Sequence, residues 1–238
     1  MTTASSSHNY LRQTRLFIMN FWIAIQLYGL IVATVTVAQG DDIPDLIADG
    51  PFALRVKGRA HKSPIDGYLH TVVAPAYLEA QLVLHYDATS VPDIADNSSY
   101  RFYFNYTGNM QSKGNELGFF VSDITVGEPN PLGLLGKAMS LQYKPNTNVA
   151  LPVLGASAGT VDLTGFDRHH EAFLDYYSDD ATSVPNQPAN VSLDINYYSW
   201  AICWQTYWAV YGPTLSWITT GKPHNPTCEL VDLLRAEL

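Results

Sequence analysis

The densest run of groups that could do chemistry is Asp167-Arg168-His169-His170-Glu171, with Asp175, Asp179 and Asp180 behind it. Two imidazoles and a carboxylate suit several divalent metals. Adjacent histidines on a strand point to opposite faces, however, and the spacing fits no standard zinc motif. The run therefore reads as an exposed acidic loop, and no metal or other cofactor is called for. A glycosidase needs two carboxylates facing each other across a cleft. Asp162, Glu171, Asp175 and Asp194 are candidates that sequence alone does not rank. A serine hydrolase would show a G-x-S-x-G elbow between a strand and a helix. Gly155-Ala156-Ser157-Ala158-Gly159 fits the letters but lies in a stretch that reads as β, with Pro152 just upstream. A polysaccharide-cleaving copper monooxygenase would need histidine as its mature first residue, and the expected one is Gln39. No constellation amounts to a reaction mechanism, so no catalytic residue is assigned.

The most distinctive chemistry is aromatic. In Trp200-Ala201-Ile202-Cys203-Trp204-Gln205-Thr206-Tyr207-Trp208 a strand would set Trp200, Trp204 and Trp208 on one face. Sugar rings stack on such a platform, and each indole N–H can bond a hydroxyl. The competing reading is that these large rings fill a small β core.

The elements that must position these groups follow from a hydrophobic period of two. Phe52 to Lys57 puts Phe, Leu and Val on one face and turns Arg55, Lys57 and then Arg59 towards water. Further strands are expected over Tyr68–Val73, Ala80–Tyr86, Tyr100–Tyr106, Leu117–Thr125, Val191–Tyr198, Trp200–Tyr211, Thr214–Thr219 and Glu229–Leu234. Gly127 to Pro131 and Ser183 to Pro188 read as loops. Only Glu171–Tyr177 and Leu230–Leu238 could be short helices, and neither has a good cap. The expected class is all-β in a single domain, a β-sandwich first and a β-trefoil or irregular barrel second. An apolar strand pair recurring near residues 68 to 86, 138 to 163 and 200 to 219 speaks for the second.

The compartment is written at the amino end. Residues 1 to 15 are polar, with Arg12 and Arg15 their only charges, and Leu16 to Ala38 carry none. The run ends in Thr36-Val37-Ala38, small residues suited to signal-peptide cleavage before Gln39. A retained helix is the alternative, since about 23 apolar residues can cross a bilayer. Acidic Asp41-Asp42 stands where a basic stop-transfer cluster would sit, and translation from Met19 would give a signal peptide of ordinary length. The expected organisation is a signal peptide over 1–38 and a secreted domain over 39–238, without stable membrane insertion after cleavage. Removing 1–38 takes away two of 13 basic residues and none of the 22 acidic ones, moving the charge from −9 to −11. Such a surface argues against nucleic acid as a partner, because phosphates need a basic footprint.

Cys203 and Cys228 are the only two cysteines, and in an oxidising exterior a lone pair is read as a disulfide. Three sequons point to N-glycosylation at Asn97, Asn105 and Asn190, whereas Asn225-Pro226-Thr227 is excluded by its proline.

Phe52-Ala53-Leu54-Arg55-Val56 with Asp66-Gly67-Tyr68-Leu69, and Trp200-Ala201-Ile202-Cys203 through Gly212-Pro213-Thr214-Leu215-Ser216-Trp217 to Cys228-Glu229-Leu230-Val231, resemble the two ends of a group of small secreted fungal β proteins. In that group a W-x-x-C strand leads to a second cysteine just before a final apolar strand. The resemblance implies a fungal secreted protein bridged at Cys203 and Cys228, and it carries over no catalytic residue. Residues 127 to 158 depart from the pattern, which leaves the strand order in the middle open. The function expected from all this is a non-catalytic secreted glycoprotein of the extracellular space or cell wall, binding cell-wall polysaccharide through Trp200, Trp204 and Trp208. The alternative is a secreted hydrolase acting on glycans or esters.

Overall fold

The computed structural model describes residues 47–74, 79–85, 92–122, 137–155, 162–178, 183–187, 191–207 and 210–236. All of them fall within one compact unit, Pro44–Leu238. Residues 1–38, with the expected signal peptide, lie outside the described residues, as do Asn190 and Trp208. Among the described residues no helix is long and apolar enough to cross a membrane.

The chain is all-β and every pairing is antiparallel. Its strands are β1 (Ile47–Gly58), β2 (Asp66–Ala74), β3 (Glu79–His85), β4 (Phe102–Ser112), β5 (Asn115–Ser122), β6 (Lys137–Gln142), β7 (Val149–Gly155), β8 (Thr164–Phe166), β9 (Ala172–Ser178), β10 (Val191–Tyr197), β11 (Trp200–Tyr207), β12 (Val210–Ile218) and β13 (Glu229–Ala236). One sheet runs β10-β9-β8-β5-β4 and ends on the first half of β1. The second half of β1 belongs to the other sheet, where β1-β2-β3-β12-β11-β13 return to β1 and close a ring. The hairpin β6–β7 joins them, since β6 pairs β5 while β7 pairs β3 and β12. The result is sandwich-like.

β1 changes sheets at a register shift between Asp49 and Phe52. Gly50 sits there at φ +136, and a Cβ would meet the Phe102 carbonyl oxygen at 2.9 Å, so the crossing requires glycine. Pro51 follows with no N–H to offer the ladder. The β4–β5 hairpin turns on Lys113 and Gly114, both at positive φ, as a two-residue turn between right-twisted strands requires.

The main core cluster draws on strands of both sheets. Phe52, Leu54 and Val56 of β1 enter it as their alternation predicts, and meet Leu69, Leu82 and Leu84, the rings of Phe102, Phe104 and Phe120, and Ile202, Leu215, Val231 and Leu233. Phe52, Phe104 and Phe120 all surround Phe166, with ring centroids 5.0 to 5.5 Å apart. Arg55 pairs with Asp66, and Arg59 bonds Asp232, Glu171 and the Tyr198 carbonyl, so both join elements as well as facing water.

Three corrections to the sequence reading concern local structure. Glu171–Tyr177 is not helical. Ala172, Phe173 and Leu174 are buried in succession because β9 is covered on both faces, which supplies apolar contact all round without helical periodicity. Leu230–Leu238 is likewise strand as far as Ala236, paired to β1. Trp200–Tyr211 is not one strand, because β11 ends at Tyr207 and β12 begins at Val210. The three recurring apolar pairs are the hairpins β2–β3, β6–β7 and β11–β12, whose second strands all pair with one another.

Candidate functional site

The alternation along β11 places Trp200, Ile202 and Trp204 on one side and Ala201, Cys203 and Gln205 on the other, yet the first side does not stay in the core. Trp200 is 0% exposed. Its indole Nε1 donates to the Ala172 carbonyl at 2.8 Å, and its ring meets Trp217 edge-on at 4.9 Å. A ring so enclosed cannot stack on a sugar, so Trp200 leaves the expected platform and becomes a core residue. Trp204, two rungs further along, is 42% exposed.

The cause is strand length. β13 pairs β11 only at Ala201 and Ile202, so by Trp204 the strand has run past its neighbour. What holds Trp204 instead is the segment before the second cysteine. The Thr227 hydroxyl accepts the Trp204 N–H at 3.0 Å and lies 3.1 Å from the Trp204 carbonyl, to which Asn225 Nδ2 donates at 3.2 Å. Asn225 in turn folds back on Thr227, its Oδ1 accepting the Thr227 N–H at 3.0 Å. The Asn-Pro-Thr triplet that cannot serve as a sequon is therefore a clip on the aromatic strand. Cys203 is bonded to Cys228 immediately beside it.

Across the hairpin Trp204 is opposite Pro213 and Tyr211 is opposite Thr206, so the two rings are diagonal neighbours on one face. Their centroids are 5.6 Å apart with planes at 44°, and Tyr211 is 64% exposed. Behind them, on the opposite face, Gln205 Nε2 donates to Thr214 Oγ1 and Ser216 Oγ at 2.8 and 2.7 Å, stiffening the hairpin that carries the rings. An open aromatic pair on a braced backbone can stack on a flat apolar face without losing much freedom. Sequence reasoning missed Tyr211, although its place two residues before Pro213 puts it on the Trp204 side once the hairpin register is known.

The acidic run is a tight turn between β8 and β9. Asp167 N–H donates to the Glu171 carbonyl and His170 N–H to the Asp167 carbonyl, while Asp167 Oδ1 accepts the His169 and Glu171 amides. His169 and His170 are exposed. Glu171 points away from them to Arg59 at 2.6 Å, and burial, followed by the Asp232 charge, pushes its carboxyl above the usual range against Arg59. Asp162 is pushed up by burial as well, and its Oδ2 accepts the Leu141 N–H at 2.7 Å. Asp162 and Glu171 are thus bound into the framework, while Asp179, Asp180 and the Asp194 side chain lie outside the described residues. Among the described residues no three histidine, cysteine or acidic side chains are placed to hold a metal. Gly155 closes β7 opposite Glu79 within an antiparallel sheet, and no α-helix follows among the described residues. Ser157 itself lies outside them.

The sequons separate by burial. Asn97 is exposed and caps the 3-10 turn Ser98–Tyr100, its Oδ1 accepting from Ser99 N–H and Oγ, which leaves the amide nitrogen that would carry a glycan outside those bonds. Asn105 is 0% exposed in the middle of β4, paired to β5, so the folded chain has no room for a glycan there. That expectation is corrected: the N-x-T pattern fell on an inward position of a strand.

Comparison of the chain with family profiles, with curated proteins and with solved structures finds no match. The reading of the site rests on its geometry.

Proposed function

We propose that this chain is a secreted, N-glycosylated, non-catalytic protein of the extracellular space or cell wall that binds polysaccharide through the Trp204–Tyr211 surface. The observation that carries the reading is an exposed tryptophan and an exposed tyrosine 5.6 Å apart on one face of a hairpin fastened by Cys203–Cys228. Sugar rings present C–H faces that pack on such rings, and the indole N–H and phenol hydroxyl supply bonds at the edge. The disulfide supports an oxidising compartment. The apolar run ending at Ala38 supports export, and the exposed Asn97 supports glycosylation there.

The test is co-sedimentation of the mature protein with insoluble polysaccharides, chitin, β-glucan and cellulose among them, alongside Trp204→Ala and Tyr211→Ala. Retention of the wild-type protein on at least one polymer and a tenfold or greater loss in Trp204→Ala support the reading. No retention on any polymer, or equal retention of the variant, overturns it. Release of soluble sugar from the same polymers would overturn its non-catalytic part. Mass spectrometry of secreted material should find an amino terminus at Gln39 and glycan on Asn97.

A further inference from the structure

We propose that His70, His85 and Tyr100 form a pH-operated latch, closed when the His70 imidazole is neutral and released when it takes a proton, that fastens the turn Asn97–Arg101 onto the β2–β3 hairpin. His70 and His85 lie on the face of that hairpin opposite core-facing Leu69, Leu82 and Leu84. Tyr68 is opposite His85 and His70 is opposite Val83, so His70 and His85 are diagonal neighbours on one face. Their rings meet edge-on with centroids 6.2 Å apart. Tyr100, the last residue of the 3-10 turn, lies over both, 5.5 Å from His70 and 6.4 Å from His85, with its hydroxyl 3.1 Å from His85 Nδ1. A second tie comes from Thr71, whose hydroxyl donates to the Ser99 carbonyl at 3.2 Å.

His70 is the strained member. Its Nδ1 is buried and has no hydrogen-bond partner. A neutral ring can leave that nitrogen as a bare acceptor, but an imidazolium would bury a charged N–H with nothing to receive it. Of the facing groups only the Val83 backbone, opposite His70 and hydrogen-bonded to its ring, favours the charged form. On β2 the neighbour is Tyr68, on β3 it is His85, and on the turn it is Tyr100. The nearest ion pair on β1 and β2, Arg55 with Asp66, is closed on itself. Arg101 is turned to the Ile94 and Ala95 carbonyls, and Asp93 accepts the Ala95 and Asp96 amides. Glu79 stands opposite Ala74, four residues along the hairpin or roughly 13 Å away, and holds Gln142. No carboxylate therefore faces His70 among the described residues. Burial, and then the neighbouring His85, hold the His70 imidazole below its ordinary value against the backbone hydrogen bond with Val83.

The sign follows from linkage. A histidine depressed in the closed state binds its proton more readily once the turn lifts and water reaches it. Above the ordinary imidazole value of about 6.5 the opening equilibrium is independent of pH. Below it opening rises by up to tenfold per pH unit, and it levels off when the closed form also takes the proton.

The experiment is amide hydrogen exchange on the full mature protein from pH 7.5 to 5, corrected for intrinsic rate. It is read at Tyr100 and Arg101, whose N–H groups bond Asn97 and Ser98 carbonyls within the turn. The expected result is a several-fold loss of protection at those two amides below pH 6.5, with β11 and β13 unchanged, and no such loss in His70→Phe. Because that variant replaces a packed ring, the wild-type His70 C2–H resonance is followed as well, and should titrate below the ordinary imidazole value of about 6.5. Protection independent of pH, a loss shared equally by β11 and β13, or His70 titrating at or above that ordinary value would each overturn the proposal.

Discussion

Replacing Trp200 with phenylalanine should be among the most damaging conservative changes in the molecule, and the size of the effect can be worked from its surroundings. The indole N–H that reaches the Ala172 carbonyl at 2.8 Å has no counterpart in Phe, so a buried carbonyl loses its partner at a cost of about 1 to 3 kcal/mol. Side-chain volume also falls, and a residual void of about 40 Å³ at roughly 24 cal/mol per Å³ adds about 1 kcal/mol. The edge-to-face contact with Trp217 weakens at the same time. Together these predict a loss of about 2 to 4 kcal/mol, seen as a melting temperature lower by roughly 5 to 15 °C for a domain of this size. Trp204→Phe, at an open position, should change stability by less than about 0.5 kcal/mol. Urea denaturation followed by far-UV circular dichroism compares the two. A Trp200→Phe midpoint within error of wild type, or a Trp204→Phe loss as large, would refute the assignment of one ring to the core and the other to the surface.

Cys203→Ser opens a loop of 25 residues and should cost about 3.5 kcal/mol in the chain-entropy picture, measurable by the same denaturation, with free-thiol labelling of the native wild type finding none. Gly118→Ala should cost about 1 to 3 kcal/mol, since the new Cβ would fall 2.3 Å from the Asn105 carbonyl oxygen, whereas Gly108→Ala, with nothing within 4 Å, should be nearly silent in a thermal melt. Asp49 is held below the ordinary carboxylate range chiefly by the Arg235 guanidinium bonded to it. Its contribution is therefore present above about pH 4 and lost as pH falls through the depressed value, so Asp49→Asn should flatten the acid limb of the stability curve below pH 4 and change little in its slope near neutrality.

Much of the architecture is legible in the sequence because a period of two reports directly which side of a strand is apolar. The alternation of Phe52, Leu54 and Val56 points to β1, and the hairpin β2–β3 lies close to its expected bounds. The disulfide is legible because two cysteines have one possible pairing within the chain. The misreadings have a common physical origin in burial from both sides. In β9 the run Ala172-Phe173-Leu174 is apolar without alternation, and a short run of that kind does not distinguish a covered strand from a helix. Asn105 fell the same way, as a polar residue in a covered strand whose pattern reads like a surface signal.

The aromatic site shows a different boundary, between direction and depth. Trp200 and Trp204 do share a side of β11, and a two-residue period fixes that much. Depth depends on how far the neighbouring strands extend, and this is set by partners distant in the chain. β13 covers β11 only as far as Ile202, and the Asn225–Thr227 clip takes over the backbone of Trp204 without covering its ring. Trp200 and Trp217 are thus the core tryptophans of this hairpin, and Trp204 is the one left open. The exposed aromatic pair arises from the mismatch in length between adjacent strands. The disulfide at Cys203 and Cys228 ties the two strands where they part, next to the residue left uncovered.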